Sequence, residues 1–448
     1  MTQAHADDLE TVTLLSQDAL EVHSDVEMGK TATAKKTSEA AAAPAKILFL
    51  DGVRGLAALL VVSQHSHEYM QDLNLGACAV DAFFVLSSFL LTMLFMKKSM
   101  KLLAQGASTR KWAFTLADYF SKRFFRVYPL FALVATLLWM LPDDAKRRYY
   151  LIDTPENYDL FKVLTFDFHN RYFVLWTLPL EITYYFFIPV LVLAVLRLKQ
   201  LWWVPFIPAY AWIGYKGWYS YRWDHMTLSS HAPTFVAGSM AAVVFVTFDT
   251  WRKENGFEFS RRQLRSLRVV EFIAVSLLLS LAFQGLFFHW VHGNISPKTP
   301  GFPFTSVLLT VVIVSEMLVP SGLSSLFEWS ALRYCGKVSF SIYLLHGFII
   351  YNNAVKGQAS YYDRMITRFG LTLLVATVSY HLVEYPSQLL AQYVTRSLAK
   401  QEPQGSTEVV HSIGSKDQVL QGNGELTSLL VYCRKPSLVL KAPGCSAA

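Results

Sequence analysis

Charge is what this 448-residue chain has little of. Only 16% of its residues are Asp, Glu, Lys or Arg, against roughly a quarter in soluble domains. A soluble globule of this length is therefore a poor expectation. Cysteine is also scarce. The four present (Cys78, Cys335, Cys433, Cys445) show neither metal-ligand spacing nor the density of a disulfide framework, so no metal is expected. Nor is there a Gly-x-Ser-x-Gly elbow, a Walker loop or a His-Glu-x-x-His pair. An excess of seven positive charges brings nucleic acid to mind, but no nucleic-acid motif accompanies it. The basic residues instead sit beside apolar blocks, as cytoplasmic membrane flanks do. The first 45 residues open with acidic and polar runs and lack a signal-peptide pattern.

What is present is apolar and aromatic. Over half the residues (53%) are hydrophobic, with 32 Phe, 22 Tyr and 11 Trp. They fall into about ten blocks of membrane-spanning length, near 50–70, 78–96, 124–141, 173–196, 201–218, 231–249, 268–290, 303–320, 337–355 and 367–390. The expected fold is thus an all-α, polytopic membrane protein, with a disordered tail over 1–45, a membrane domain over 46–395 and a further tail over 396–448. The fifth block contains two prolines and is the weakest.

Loop charge sets the orientation. The segment between the second and third blocks carries Lys97, Lys98, Lys101, Arg110, Lys111, Lys122 and Arg123 against one acid, Asp118. The segment between the sixth and seventh carries Arg252, Lys253, Arg261, Arg262, Arg265 and Arg268. Both fall on one side if the blocks alternate, which puts both termini in the cytoplasm. Asn294-Ile-Ser296 is then a glycan acceptor pattern in an outer loop.

Against this apolar background the ionisable residues inside the blocks stand out as site candidates, because each is expensive to keep there. Arg54 and His65 are eleven residues apart in LDGVRGLAALLVVSQH, so a helix stacks them on one face about 16 Å apart. With the topology above, His65, Asp81 and Glu181 share the outer half of the membrane. Arg54 shares the inner side with Lys122, Arg123 and Arg126. An imidazole with carboxylates suits acid–base catalysis, and a cluster of cations suits a phosphorylated ligand. Simpler readings stand beside these. Arg54 could anchor the helix by snorkelling, and the 122–126 cations satisfy the positive-inside rule unaided. Trp176 suits an interfacial belt as well as a substrate contact. Tyr343 and His346, on adjacent turns, suit a hydrogen bond inside the bundle. His67 and Glu68 fall at the membrane edge, where exposure is expected.

Six segments in order make the chain resemble the acyltransferase-3 family of integral-membrane acyltransferases, from about Leu48 to Leu390. They are LDGVRGLAALLVVSQH, VDAFFVLSSFLLT, SKRFFRVYP, LWTLPLEITYYFFIP, GKVSFSIYLLH and VEYPSQLL. The resemblance implies transfer of an acyl group, acetyl above all, from acyl-coenzyme A to a hydroxyl of a glycan, lipid or small hydrophobic metabolite. Carried over, His65 would be the base, with Asp81 or Glu181 orienting its ring. Arg54, Lys122, Arg123 and Arg126 would hold the donor, with Trp176, Tyr343 and His346 as further polar positions. Two departures from the family pattern are Ser88, where a glycine is usual, and Lys122 at the head of the basic segment. A transporter or acyl-group channel without chemistry would also place buried charges at two depths.

Overall fold

The computed structural model describes residues 45–69, 75–219, 227–283 and 304–400, with Leu73 and Phe287 between them. The candidate glycan site at Asn294, Cys433, Cys445 and most of both expected tails lie outside the described residues. Among the described residues there are helices and no strands.

The principal helices are α1 (Ala45–His65), α2 (Leu75–Ala104), α3 (Thr109–Met140), α4 (Thr177–Leu198), α5 (Phe206–Tyr219) and α6 (Leu228–Glu254). They continue as α7 (Arg261–Ala282), α8 (Phe304–Leu318), α9 (Ser330–Lys337), α10 (Ser339–Ile350), α11 (Tyr361–Ser379) and α12 (Tyr385–Lys400). Among the described residues six helical stretches are long and apolar enough to cross a bilayer, against the ten blocks expected: Leu48–His65, Leu75–Ala104, Thr109–Met140, Phe173–Leu201, Leu228–Glu254 and Tyr361–Thr395. The apolar stretches in α8 and α10 are shorter, and the first two turns of α7 carry four arginines. The protein is accordingly multi-pass.

Local chemistry explains the helix ends. Ser108 caps α3 by accepting from the Lys111 amide at 3.4 Å. Ser260 and Gln263 close a reciprocal capping box on α7, which satisfies two amides that the first turn leaves over. Before Pro386 the long last helix opens into a π turn, Tyr380–Glu384, with the Tyr385 amide bonded to the Tyr380 carbonyl. A proline has no amide to return to the carbonyl four residues back, and the widened turn absorbs that loss.

Small residues set the closest contacts. A Cβ at Gly52 would collide with the Phe327 carbonyl, one at Gly55 with that of Leu332, and one at Gly336 with that of Asp51. The glycines of LDGVRG therefore let α1 lie backbone to backbone on α9 and the short helix before it. The α2–α6 crossing is similar. A Cβ at Gly238 would strike Ser88, whose hydroxyl turns back onto the Phe84 carbonyl at 2.8 Å. The side chain of Ser88, at a position where the resemblance implies a glycine, is thus accommodated by a glycine on the facing helix.

Candidate active site

The ring of His65, the last residue of α1, meets the ring of His346 on α10. His65 Nδ1 and His346 Nε2 are 2.8 Å apart, and the two ring planes differ by 2°. The other nitrogen of His346, Nδ1, is 3.1 Å from the Ile342 carbonyl. A carbonyl only accepts, so Nδ1 of His346 carries the proton, and neutral His346 offers Nε2 as an acceptor. His65 then donates from Nδ1, which leaves its own Nε2 with an unshared lone pair. Phe173 packs on both rings, at centroid distances of 4.8 Å to His65 and 5.3 Å to His346. It does so from a left-handed backbone conformation, φ 41°, which costs energy in a bulky residue.

Just past His65, His67 also turns left-handed, φ 53°, and is exposed. The turn brings Glu68 back onto α11. Arg364 Nε lies 3.0 Å from Glu68 Oε1, and Arg368 Nη1 lies 3.0 Å from Oε2. Arg368 is 2% exposed and its guanidinium also lies over the Tyr69 ring. Glu68, expected at an exposed edge, is therefore half-buried and doubly paired. Partial burial raises its pKa, but the hydrogen bonds from Arg364 and Arg368 outweigh this and hold the carboxyl below its ordinary value of 4.5.

The carboxylates expected beside His65 have other neighbours. Asp81, wholly buried, faces the equally buried His231 at 3.9 Å. Trp176 packs there too, 5.2 Å from the His231 ring and 6.2 Å from that of Phe84, so its ring is interior. Glu181 accepts from the Ser87 and Tyr185 hydroxyls, each at 2.6 Å. Ser87 is six residues beyond Asp81 on α2, a rise of about 9 Å, so the two carboxylates sit at different depths. Depth counted from the ends of apolar blocks assumed helices that start level, and here they do not.

Glu181 belongs with the cations. One cavity of about 480 Å³ is lined by Arg54 of α1, by Lys122, Arg123 and Arg126 of α3, by Glu181 of α4 and by Tyr343 of α10. Two of the cations have carboxylate partners: Arg54 lies 3.6 Å from Asp51, and Lys122 lies 2.9 Å from Asp118. Arg123 and Arg126 make no ion pair among the described residues, and the buried Nε of Arg123 has no hydrogen-bond partner there. Tyr343, which lines this cavity, also has its ring centroid 6.2 Å from that of His346.

Sequence reasoning missed Phe173, whose type and place in an aromatic-rich segment carried no signal. It also missed Arg333 and Lys337 of α9, which line the same cavity; their position one turn apart, beside an apolar block, was the available clue. Among the described residues no group of three His, Cys, Asp or Glu side chains is arranged to hold a metal ion.

Comparison with known proteins converges on one family. Residues 47–383 match the family model described as an acyltransferase domain. The O-acetyltransferase OatA of Staphylococcus aureus (strain NCTC 8325 / PS 47) is 24% identical over 366 residues, covering 75% of this chain and 56% of that protein. A protein of Staphylococcus aureus strain COL shows the same identity and coverage over 368 residues. Protein 2 of the picA locus of Rhizobium radiobacter is 35% identical over 96 residues, or 21% of this chain and 45% of its own length. The chain thus spans about half the length of the curated relatives it matches. No solved structure matches.

Proposed function

Because the chain belongs to the acyltransferase family, whose domain spans residues 47–383, we propose that it transfers an acyl group, most simply acetyl, from acyl-coenzyme A to a hydroxyl within the membrane. The observation that carries this reading is the oriented histidine pair next to a cation-lined cavity. Ile342 sets the proton on His346, His346 accepts from His65, and His65 is left with a basic Nε2.

In this mechanism His65 Nε2 takes the proton of the acceptor hydroxyl as its oxygen attacks the thioester carbonyl. The carbon–oxygen bond forms, the carbon–sulfur bond breaks, and the imidazolium returns the proton to the departing thiolate. His346 holds the ring and stabilises its charged form, the role first expected of Asp81 or Glu181. Arg123 and Arg126, with Arg54 and Lys122 beside them, hold the phosphates of the donor. Glu181, bonded by Ser87 and Tyr185, offsets part of the positive charge lining the cavity rather than acting on His65. The loop-charge expectation would put both termini and the donor cavity on the cytoplasmic side, and the acyl group would then pass outward past Tyr343.

The test is release of free thiol from acetyl-coenzyme A by the purified protein with a panel of sugar, lipid and small hydrophobic alcohols. Wild type should release thiol with at least one acceptor, and His65→Ala should not. A wild-type protein that consumes no acyl-coenzyme A with any acceptor overturns the reading. Transport of an acyl compound without its conversion would replace it.

A further inference from the structure

The cavity holds more cations than the α3 segment supplies. Arg333 and Lys337 line it from α9, a wall separate from that of α3. In total six cationic side chains line it against three carboxylates, Asp51, Glu181 and Glu384. Those carboxylates are already engaged: Asp51 with Arg54, Glu181 with Ser87 and Tyr185, and Glu384 with the Ser341 hydroxyl. Arg333, like Arg123 and Arg126, makes no ion pair among the described residues. An excess of cations around an interior cavity is costly, and an anionic ligand offsets that cost.

The backbone explains why these side chains converge. Arg54 lies between Gly52 and Gly55 on α1, and Gly336 lies between Arg333 and Lys337 on α9. Gly55 and Gly336 leave no room for a Cβ between these two helices, and Gly52 leaves none against Phe327 just before α9. Close approach fixes α9 against α1 and so carries Arg333 and Lys337 to the cavity that Arg54 lines. Lys337 Nζ lies 5.4 Å from the centroid of the Tyr380 ring, which holds it on the cavity wall.

We propose that Arg333 and Lys337 form a second anion-binding arm, gripping the phosphate-bearing part of the thioester donor from the wall apart from Arg123 and Arg126. The arm rests on the donor reading above. Arg333 supplies a planar fork suited to a phosphate, and Lys337 supplies a point charge. An anionic lipid headgroup shares this phosphate chemistry, so the two sources have to be separated.

The experiment measures coenzyme A binding to the full-length protein in nanodiscs of zwitterionic lipid, with and without added phosphatidylglycerol. Arg333→Gln/Lys337→Gln should weaken coenzyme A binding at least tenfold. It should also lower, by a similar factor, the preference for acetyl-coenzyme A over a phosphate-free thioester such as N-acetylcysteamine acetate thioester. Arg333→Lys should recover part of the loss. Phosphatidylglycerol should leave coenzyme A binding unchanged. If the double variant does not fold, Arg333→Gln alone should weaken binding at least threefold. Coenzyme A binding by the Arg333→Gln/Lys337→Gln variant equal to that of wild type overturns the arm alone. So does an effect of the variants seen only on phosphatidylglycerol. Wild type that binds no coenzyme A overturns the donor reading beneath it.

Discussion

His65 donates to His346 across 2.8 Å, from α1 to a helix 281 residues further along the chain. The bond matters because its direction is decided elsewhere, by the Ile342 carbonyl that accepts from the far side of His346. One backbone acceptor thereby fixes the tautomer of two rings and leaves the lone pair on His65 Nε2. If His65 is the base, His65→Ala should lower kcat by about 10²–10⁴-fold. His346→Ala should cost less, roughly ten- to a hundredfold, as the loss of an orienting partner does. His346→Gln, whose amide oxygen can accept from Nδ1, should regain part of the rate. A His346→Ala enzyme with the wild-type kcat and pH profile would show that the pair is only packing.

The clamp just beyond that pair gives a stability prediction. Glu68 neutralises Arg364 and the buried Arg368, and Glu68→Gln leaves Arg368 charged without its carboxylate. The change should cost about 2–4 kcal/mol, the lower part of the range reflecting the partial exposure of Glu68. The carboxyl is held below its ordinary value. Its contribution is therefore present above about pH 4.5 and is lost as pH falls through the lower folded-state value. Thermal unfolding in detergent across pH 3–7 checks this. Wild type should lose stability on acidification by more than Glu68→Gln does, and equal slopes would rule the clamp out as the cause.

The α2–α6 crossing can be tested by a double-mutant cycle. Gly238→Ala should destabilise by about 1–3 kcal/mol, because its Cβ meets Ser88 and the neighbouring Val85 backbone. Ser88→Gly alone should be close to neutral. The double variant should recover part of the loss, since Ser88 no longer occupies the contact and only the Val85 backbone does. Additive behaviour would mean that Ser88 and Gly238 do not share the space.

How much of this was legible in the sequence depends on what each feature needs. The apolar blocks announce helices because burying a backbone in lipid demands them, and the costly charges announce themselves by being there at all. The four cations singled out as donor-binding do line one cavity. What periodicity could not supply was which partners meet across helices. His346 and Asp81 both read as buried polar groups in the sequence, yet only tertiary packing assigns His346 to His65 and Asp81 to His231. Counting along a block places Glu181 in the outer half, and a difference in helix start of a few residues puts it instead with the cations that line the cavity. Gly52, Gly55 and Gly336 look incidental in the sequence, and their purpose is visible only once α9 lies on α1.

That last contact links the fold to the donor. Gly55→Ala places a methyl against the Leu332 carbonyl and the Gly336 amide. Neither atom can move without shifting α9, so the two elements have to separate. Arg54 and the α9 cations then no longer address the cavity from fixed positions. His65 lies ten residues further along α1, a rise of about 15 Å, and His346 lies on α10, away from the strain. The expected outcome is a rise in KM for acyl-coenzyme A of about tenfold or more, with kcat falling less, because a displaced binding group weakens donor and transition state alike. A stability loss of about 1–3 kcal/mol should accompany it. Steady-state kinetics at saturating acceptor separates the two parameters. A Gly55→Ala protein that loses kcat but keeps its donor KM would place the consequence of this packing at His65 instead of the cavity.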